Sequence, residues 1–118
     1  MGICSVDISG DNASVAFGGD DTYLRVYKAS NGASIFAGKH DASVTATMFS
    51  HDNKTIITGT EKGLLKVWDV ATKKSVKDLT GHQGKIHTLN RSTDGKVWMS
   101  ASTQGPIQLW QASDGKKL

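Results

Sequence analysis

The stretch "VTATMFSHDNKTIITGTEKGLLKVWDV", residues 44–70, holds three short apolar-rich runs separated by polar turns. Val44 to Phe49 leads into Ser50-His51-Asp52-Asn53, a sequence suited to the positive φ that tight hairpin turns require. Thr55 to Thr58 then ends at a turn containing Gly63, and Leu64 to Trp68 is followed by the polar connection "DVATKK". A fourth run, Ser75 to Leu79, leads to Gly81-His82. The pattern predicts a four-stranded antiparallel meander. It also recurs: "ICSVDISGDNASVAFGGDDTYLRVYKA" (3–29) and "IHTLNRSTDGKVWMSASTQGPIQLWQA" (86–112) fall on it in step. Ser9, Ser50 and Ser92 are 41 and 42 residues apart, as are Asp11, Asp52 and Asp94, and Tyr27, Trp68 and Trp110. Independent elements would not hold that register, so the chain reads as one supersecondary unit repeated.

Composition agrees. Apolar residues make up 37% of the 118-residue chain, and its 13 glycines bring the figure to about 48%, within the globular range. Apolar runs of four or five residues, without longer stripes at helical spacing, indicate an all-β chain. A single four-stranded unit cannot bury both faces of its sheet, so successive units must stack face to face.

With "LTGH" at 79–82, "VWD" at 67–69, "ITGT" and "MSAS" on the second strands and the Ser-x-Asp-Asn/Gly turns, the chain resembles the WD-repeat (WD40) β-propellers along its whole length. The resemblance implies about three consecutive four-stranded blades, approximately residues 1–37, 38–80 and 81–118. It further implies a buried network in each blade, made by the Gly-His histidine, a second-strand Ser or Thr, an Asp before the third strand and the third-strand Trp. Carried onto this sequence, the second copy has His40, Thr58 and Trp68, with Lys62 where the Asp is expected. The third has His82, Ser100 and Trp110, with Gln104 in that place. The first keeps Asp21 but has Phe17 and Tyr27 for the hydroxyl and the tryptophan. Arg91 stands where the other copies have Ile8 and Phe49, marking either an exposed sheet face or a local contact site.

His, Ser/Thr and Asp at fixed spacing also suggest a hydrolase, but the resemblance assigns them to hydrogen bonds inside each blade, so no catalytic residue is expected. No metal or cofactor site is expected either. His40, His51, His82 and His87 make no short ligand pair, Cys4 is alone, and "FGGDD" lacks a following helix or P-loop lysine. Residues 1–59 carry four basic and six acidic side chains and residues 60–118 ten and five, giving −2 and +5. The excess, at Lys73, Lys74, Lys77, Lys116 and Lys117, is spread over turns, whereas nucleic-acid binding needs a concentrated stripe. A lone cysteine and no apolar span of about 20 residues fit a cytoplasmic or nuclear protein. The start "MGICSV" lacks the Ser or Thr preferred for myristoylation at Gly2.

The function expected is a non-enzymatic protein–protein interaction scaffold, a propeller segment within a larger protein or multi-subunit assembly. The alternatives are a propeller enzyme with a hydrolase-type site at a central channel, and a basic nucleic-acid-associated subunit. Contacts are expected on the strand-end turns, at Asp41, Ser43, Gln83 and Lys85 and at Glu61, Lys62, Thr103 and Gln104. Three blades do not close a ring of four to eight. Longer sequence, copies of the chain or another protein is therefore expected to complete it, with the third blade short of its outer strand after "IQLWQASDGKKL".

Overall fold

In the computed structural model the described residues are 3–80, 82–104, 107–112 and 116–117, without the side chains at 3, 4, 80 and 83. Expectations for Gly2, the Cys4 and Gln83 side chains, Gly81, the turn 113–115 and Leu118 lie outside them. The described residues form eleven strands and no helix. Strands β1 (Ile3–Ile8), β2 (Ser14–Gly19), β3 (Tyr23–Lys28) and β4 (Ser34–Lys39) make one antiparallel meander. Strands β5 (Val44–Phe49), β6 (Thr55–Thr60), β7 (Leu64–Asp69) and β8 (Lys74–Thr80) make a second. Strands β9 (Gln83–Arg91), β10 (Val97–Gln104) and β11 (Gln108–Gln111) make a third, with β10 in the middle. These are consecutive propeller blades in an unclosed ring. β4 runs on to Lys39, across the division expected between 37 and 38. In the third blade an antiparallel bridge between Trp110 and Lys117 extends the sheet beyond β11.

The first hairpin turn of every blade is built alike, because the same side chains recur there. Ser9, Ser50 and Ser92 donate from Oγ to Asp11, Asp52 and Asp94 at 2.5, 2.6 and 2.7 Å. Each aspartate also accepts a backbone N–H two residues on, from Ala13, Lys54 and Lys96. Each serine Oγ accepts one from the start of the next strand, at Ser14, Thr55 and Val97. The left-handed residue is Asn12, Asn53 or Gly95, residue types that tolerate positive φ. The serine hydroxyl, and then the backbone N–H, hold all three carboxyls below the usual range.

The core consists of two layers between blades. In the first, Ala16, Leu24, Val26 and Phe36 pack on Phe49, Ile56 and Trp68. In the second, Ala46, Met48, Ile57, Leu65 and Leu79 pack on Ile86, Trp98 and Trp110. Small residues set the approach of the sheets. A Cβ on Gly18 would lie 2.3 Å from Val44, and one on Gly59 would lie 2.5 Å from Ile86, so an inner-strand aliphatic seats on a glycine in both layers. Polar bonds run alongside. Ser5 and Thr47 share a hydrogen bond of 2.6 Å, and the Thr45 hydroxyl donates to the Ile86 carbonyl of the next blade. Apolar side chains remain on the outer faces of the stack, with Val6 and Ile8 on the first blade and Ile107 and Leu109 on the third.

Candidate interaction rim

The groups that resemble a hydrolase triad are bound up inside the blades. In the second blade Trp68 Nε1–H donates to Thr58 Oγ1 at 3.1 Å, and Thr58 Oγ1 lies 2.8 Å from His40 Nε2. Thr58 is fully buried and His40 nearly so. In the third, Trp110 Nε1–H donates to Ser100 Oγ at 2.9 Å, and Ser100 Oγ lies 2.5 Å from His82 Nε2. Burial holds both imidazoles below their ordinary pKa, helped at His82 by the charge of Lys117. His40 Nδ1 is buried without a hydrogen-bond partner. Lys62, in the place of an acid, is exposed and cannot accept the proton of an Nδ1–H.

The first blade replaces this network with packing. Phe17 and Tyr27 face each other with ring centroids 5.4 Å apart. Asp21 pairs with Arg25 at 2.6 Å, and that bond holds its carboxyl below the usual range. Trp98 is a core residue, stacked on Trp110 at 5.2 Å.

Of the two readings of Arg91, an exposed sheet face and a local contact, the structure shows a contact within the stack, where its guanidinium reaches back across two blades. Nη1–H donates to the Phe49 carbonyl at 3.0 Å and lies 3.8 Å from the Asp7 carboxylate. Asp7 in turn accepts the Phe49 N–H at 2.8 Å. A polar tie thus joins the inner strands of all three blades. The sequence signal was available, since Asp7 and Arg91 have opposite charge at neighbouring positions of the same strand of the repeat.

The residues expected to carry contacts share one end of the sheets, where β5, β7, β9 and β11 begin and β6, β8 and β10 end. Glu61 N–H donates to the Ser43 carbonyl at 3.0 Å, joining the β4–β5 and β6–β7 turns. Gly63, with φ of 90°, faces the His82 and Gly84 carbonyls so closely that a Cβ would lie 2.7 and 2.9 Å from them. Gly84 in turn stands against Thr103 and Gln104, and Gln83 pairs with Gln104. Asp41, Glu61, Lys62, Lys85, Thr103 and Gln104 are exposed, and Ser43 is half-buried. The described residues of those turns lie at one end of the second and third blades and carry mixed charge. No cluster of three or more His, Cys, Asp or Glu able to hold a metal occurs among the described residues.

Residues 9–91 match the profile of the anaphase-promoting complex subunit 4 WD40 domain. The chain belongs to the WD40 family. It is 31% identical over 105 residues to the human angio-associated migratory cell protein, a match covering 88% of this chain and 24% of that protein. It is 28% identical over 98 residues to the guanine nucleotide-binding protein subunit beta of Schizosaccharomyces pombe, covering 81% and 32%. Over 69 residues it is 30% identical to eukaryotic translation initiation factor 3 subunit I of Culex quinquefasciatus, covering 58% and 21%. The WD40 chain thus spans about a fifth to a third of the length of these relatives. Among its described residues, no helix is long and apolar enough to cross a membrane.

Proposed function

We propose that this WD40 segment is a non-enzymatic scaffold that binds other proteins through its rim, as part of a larger propeller or a multi-subunit assembly. One observation carries the reading: the turns of two blades are locked side by side while the reactive side chains behind them are spent on buried hydrogen bonds. A rigid stack with chemically varied turns offers a partner a preorganised surface. Asp41, Ser43, Glu61, Lys62, Gln83, Lys85, Thr103 and Gln104 are the proposed contacts. Val6, Ile8, Ile107 and Leu109 on the outer faces favour a neighbour there as well, supplied by further blades, another protein or a second copy.

A photo-crosslinking amino acid placed singly at Glu61, Lys85 and Gln104 in the natural protein tests the reading. Discrete adducts with particular polypeptides are expected from these positions and none from Asn31, at the opposite end of the first blade. Adducts no different from those at Asn31 would refute the rim. Turnover of ester, phosphoester or glycoside substrates, abolished by His82→Ala in a folded protein, would make it an enzyme instead.

A further inference from the structure

The two layers between blades are not filled alike. In the first, Phe36 on β4 and Phe49 at the end of β5 close one end of the sandwich around Trp68, with the Phe36 and Trp68 ring centroids 6.2 Å apart. The sheet register gives their counterparts in the second layer. Phe36 lies opposite Val26 as Lys77 lies opposite Val67, and Phe49 lies opposite Ile56 as Arg91 lies opposite Trp98. Two cations therefore stand where the first layer has two phenylalanines. The space those rings would take is open, a cavity of about 410 Å³ walled by Met48, Ile57, Val67, Val76 and Trp98, with Lys77 and Arg91 beside it.

We propose that this cavity binds a segment of a partner protein, inserting an aromatic side chain flanked by acidic residues. The chain itself shows that the geometry accepts a phenyl ring, because Phe36 fills the matching space one blade earlier. The volume is that of an ordinary ligand site, apolar with a few polar groups to fix orientation. The charge selects the flanks. Asp7 offsets part of the Arg91 charge, but a guanidinium has five N–H donors and the Phe49 carbonyl accepts from Nη1. Around the same end of the sheets stand exposed Lys54, Lys73, Lys74 and Lys96, which together with Lys77 and Arg91 outnumber the carboxylates of Asp52, Asp69 and Asp94 there, all three held by N–H groups of their own turns. An acidic segment would be drawn to this end and a basic one repelled.

This proposal deepens the scaffold reading and lies at the opposite end of the sheets from the rim. The probe is a fluorescein-labelled peptide, Glu-Asp-Phe-Asp-Glu, titrated into the natural protein and followed by anisotropy. Saturable binding is expected, at least tenfold weaker when the peptide Phe is replaced by Ala or its acids by amides. Lys77→Phe, which rebuilds the first-layer filling, and Lys77→Glu, which reverses the charge, are each expected to weaken it at least tenfold with the circular dichroism spectrum unchanged. No saturable binding, or binding indifferent to both variants, overturns the proposal. So does tighter binding of a single-stranded oligonucleotide that Lys77→Glu abolishes, which would make the surface a nucleic-acid site. Rim crosslinks that persist while the peptide fails to bind would overturn the cavity alone and leave the scaffold reading standing.

Discussion

The first layer, between blades one and two, is closed by aromatic rings, and the second, between blades two and three, is bordered by cations and open at one end. Both nevertheless use the same seat, an aliphatic on glycine, and the same Trp-hydroxyl-His network. The glycine seats and the network thus set the spacing of the blades, and the packing at the far end of the strands is free to vary. Phe49→Ala and Arg91→Ala, at matching positions, test this most severely. Removing the fully buried Phe49 is expected to cost about 3–5 kcal/mol. Removing half-exposed Arg91, with one carbonyl bond and one long ion pair, is expected to cost about 1 kcal/mol or less. Equal shifts in urea midpoint would mean that the second layer is as tightly closed as the first.

If the glycine seat is common to both layers, Gly18→Ala and Gly59→Ala should destabilise alike, by about 1–3 kcal/mol each, because the new methyl meets Val44 or Ile86 well inside contact distance. A loss confined to Gly18→Ala would show that the second interface yields where the first does not.

The two networks differ in how deeply the histidine is buried, and pH separates them. Both imidazoles are held below their ordinary value of 6.5, so unfolding takes up protons at mildly acid pH. The contribution of each is complete above pH 6.5 and is lost as the pH falls below it. His40, the more buried, should account for more of that loss. His40→Gln is therefore expected to flatten the change in urea midpoint between pH 7.5 and 5.5 more than His82→Gln. The turn carboxyls, lowered from 3.8, act only in more acidic solution and leave this window clear.

Much of this was legible in the sequence because it depends on local chemistry repeated in register. Ser-x-Asp-Asn/Gly at 41 and 42 residues specifies the turn, and the short apolar-rich runs Thr55–Thr58 and Leu64–Trp68, each closed by a polar turn, specify the strands. The network residues were legible only through the family resemblance. What stayed hidden depends on the neighbouring blade: Gly18 and Gly59 look like ordinary strand glycines until Val44 and Ile86 are placed on them. Arg91 was visible as an anomaly, but its partners lie 42 and 84 residues away on other sheets. The cavity was hidden for the same reason, since Lys77 reads as a surface lysine until its register match with Phe36 is known.

The smallest effect concerns the unpaired His40 Nδ1, which distinguishes a network with its acid from one without. Trp68 donates to Thr58 Oγ1, so the hydroxyl proton is free to go to His40 Nε2, and the neutral ring then carries its own proton on Nδ1. That buried N–H completes no hydrogen bond, although the Gly38 and Thr22 backbones nearby partly offset the effect of burial on the ring. In the other tautomer Nε2–H points at Thr58 and leaves an unpaired Nδ1 lone pair and a hydroxyl proton unused, so either choice strands a polar atom. Lys62→Asp offers the carboxylate that the first blade keeps at Asp21, and is expected to stabilise the protein by about 1 kcal/mol and to raise the His40 pKa. Because Lys62 is exposed and makes no bond that the fold uses, little is lost by removing it. The control is the same substitution in His40→Phe, which has no imidazole to pair. A gain that survives there would come from surface charge rather than from the network.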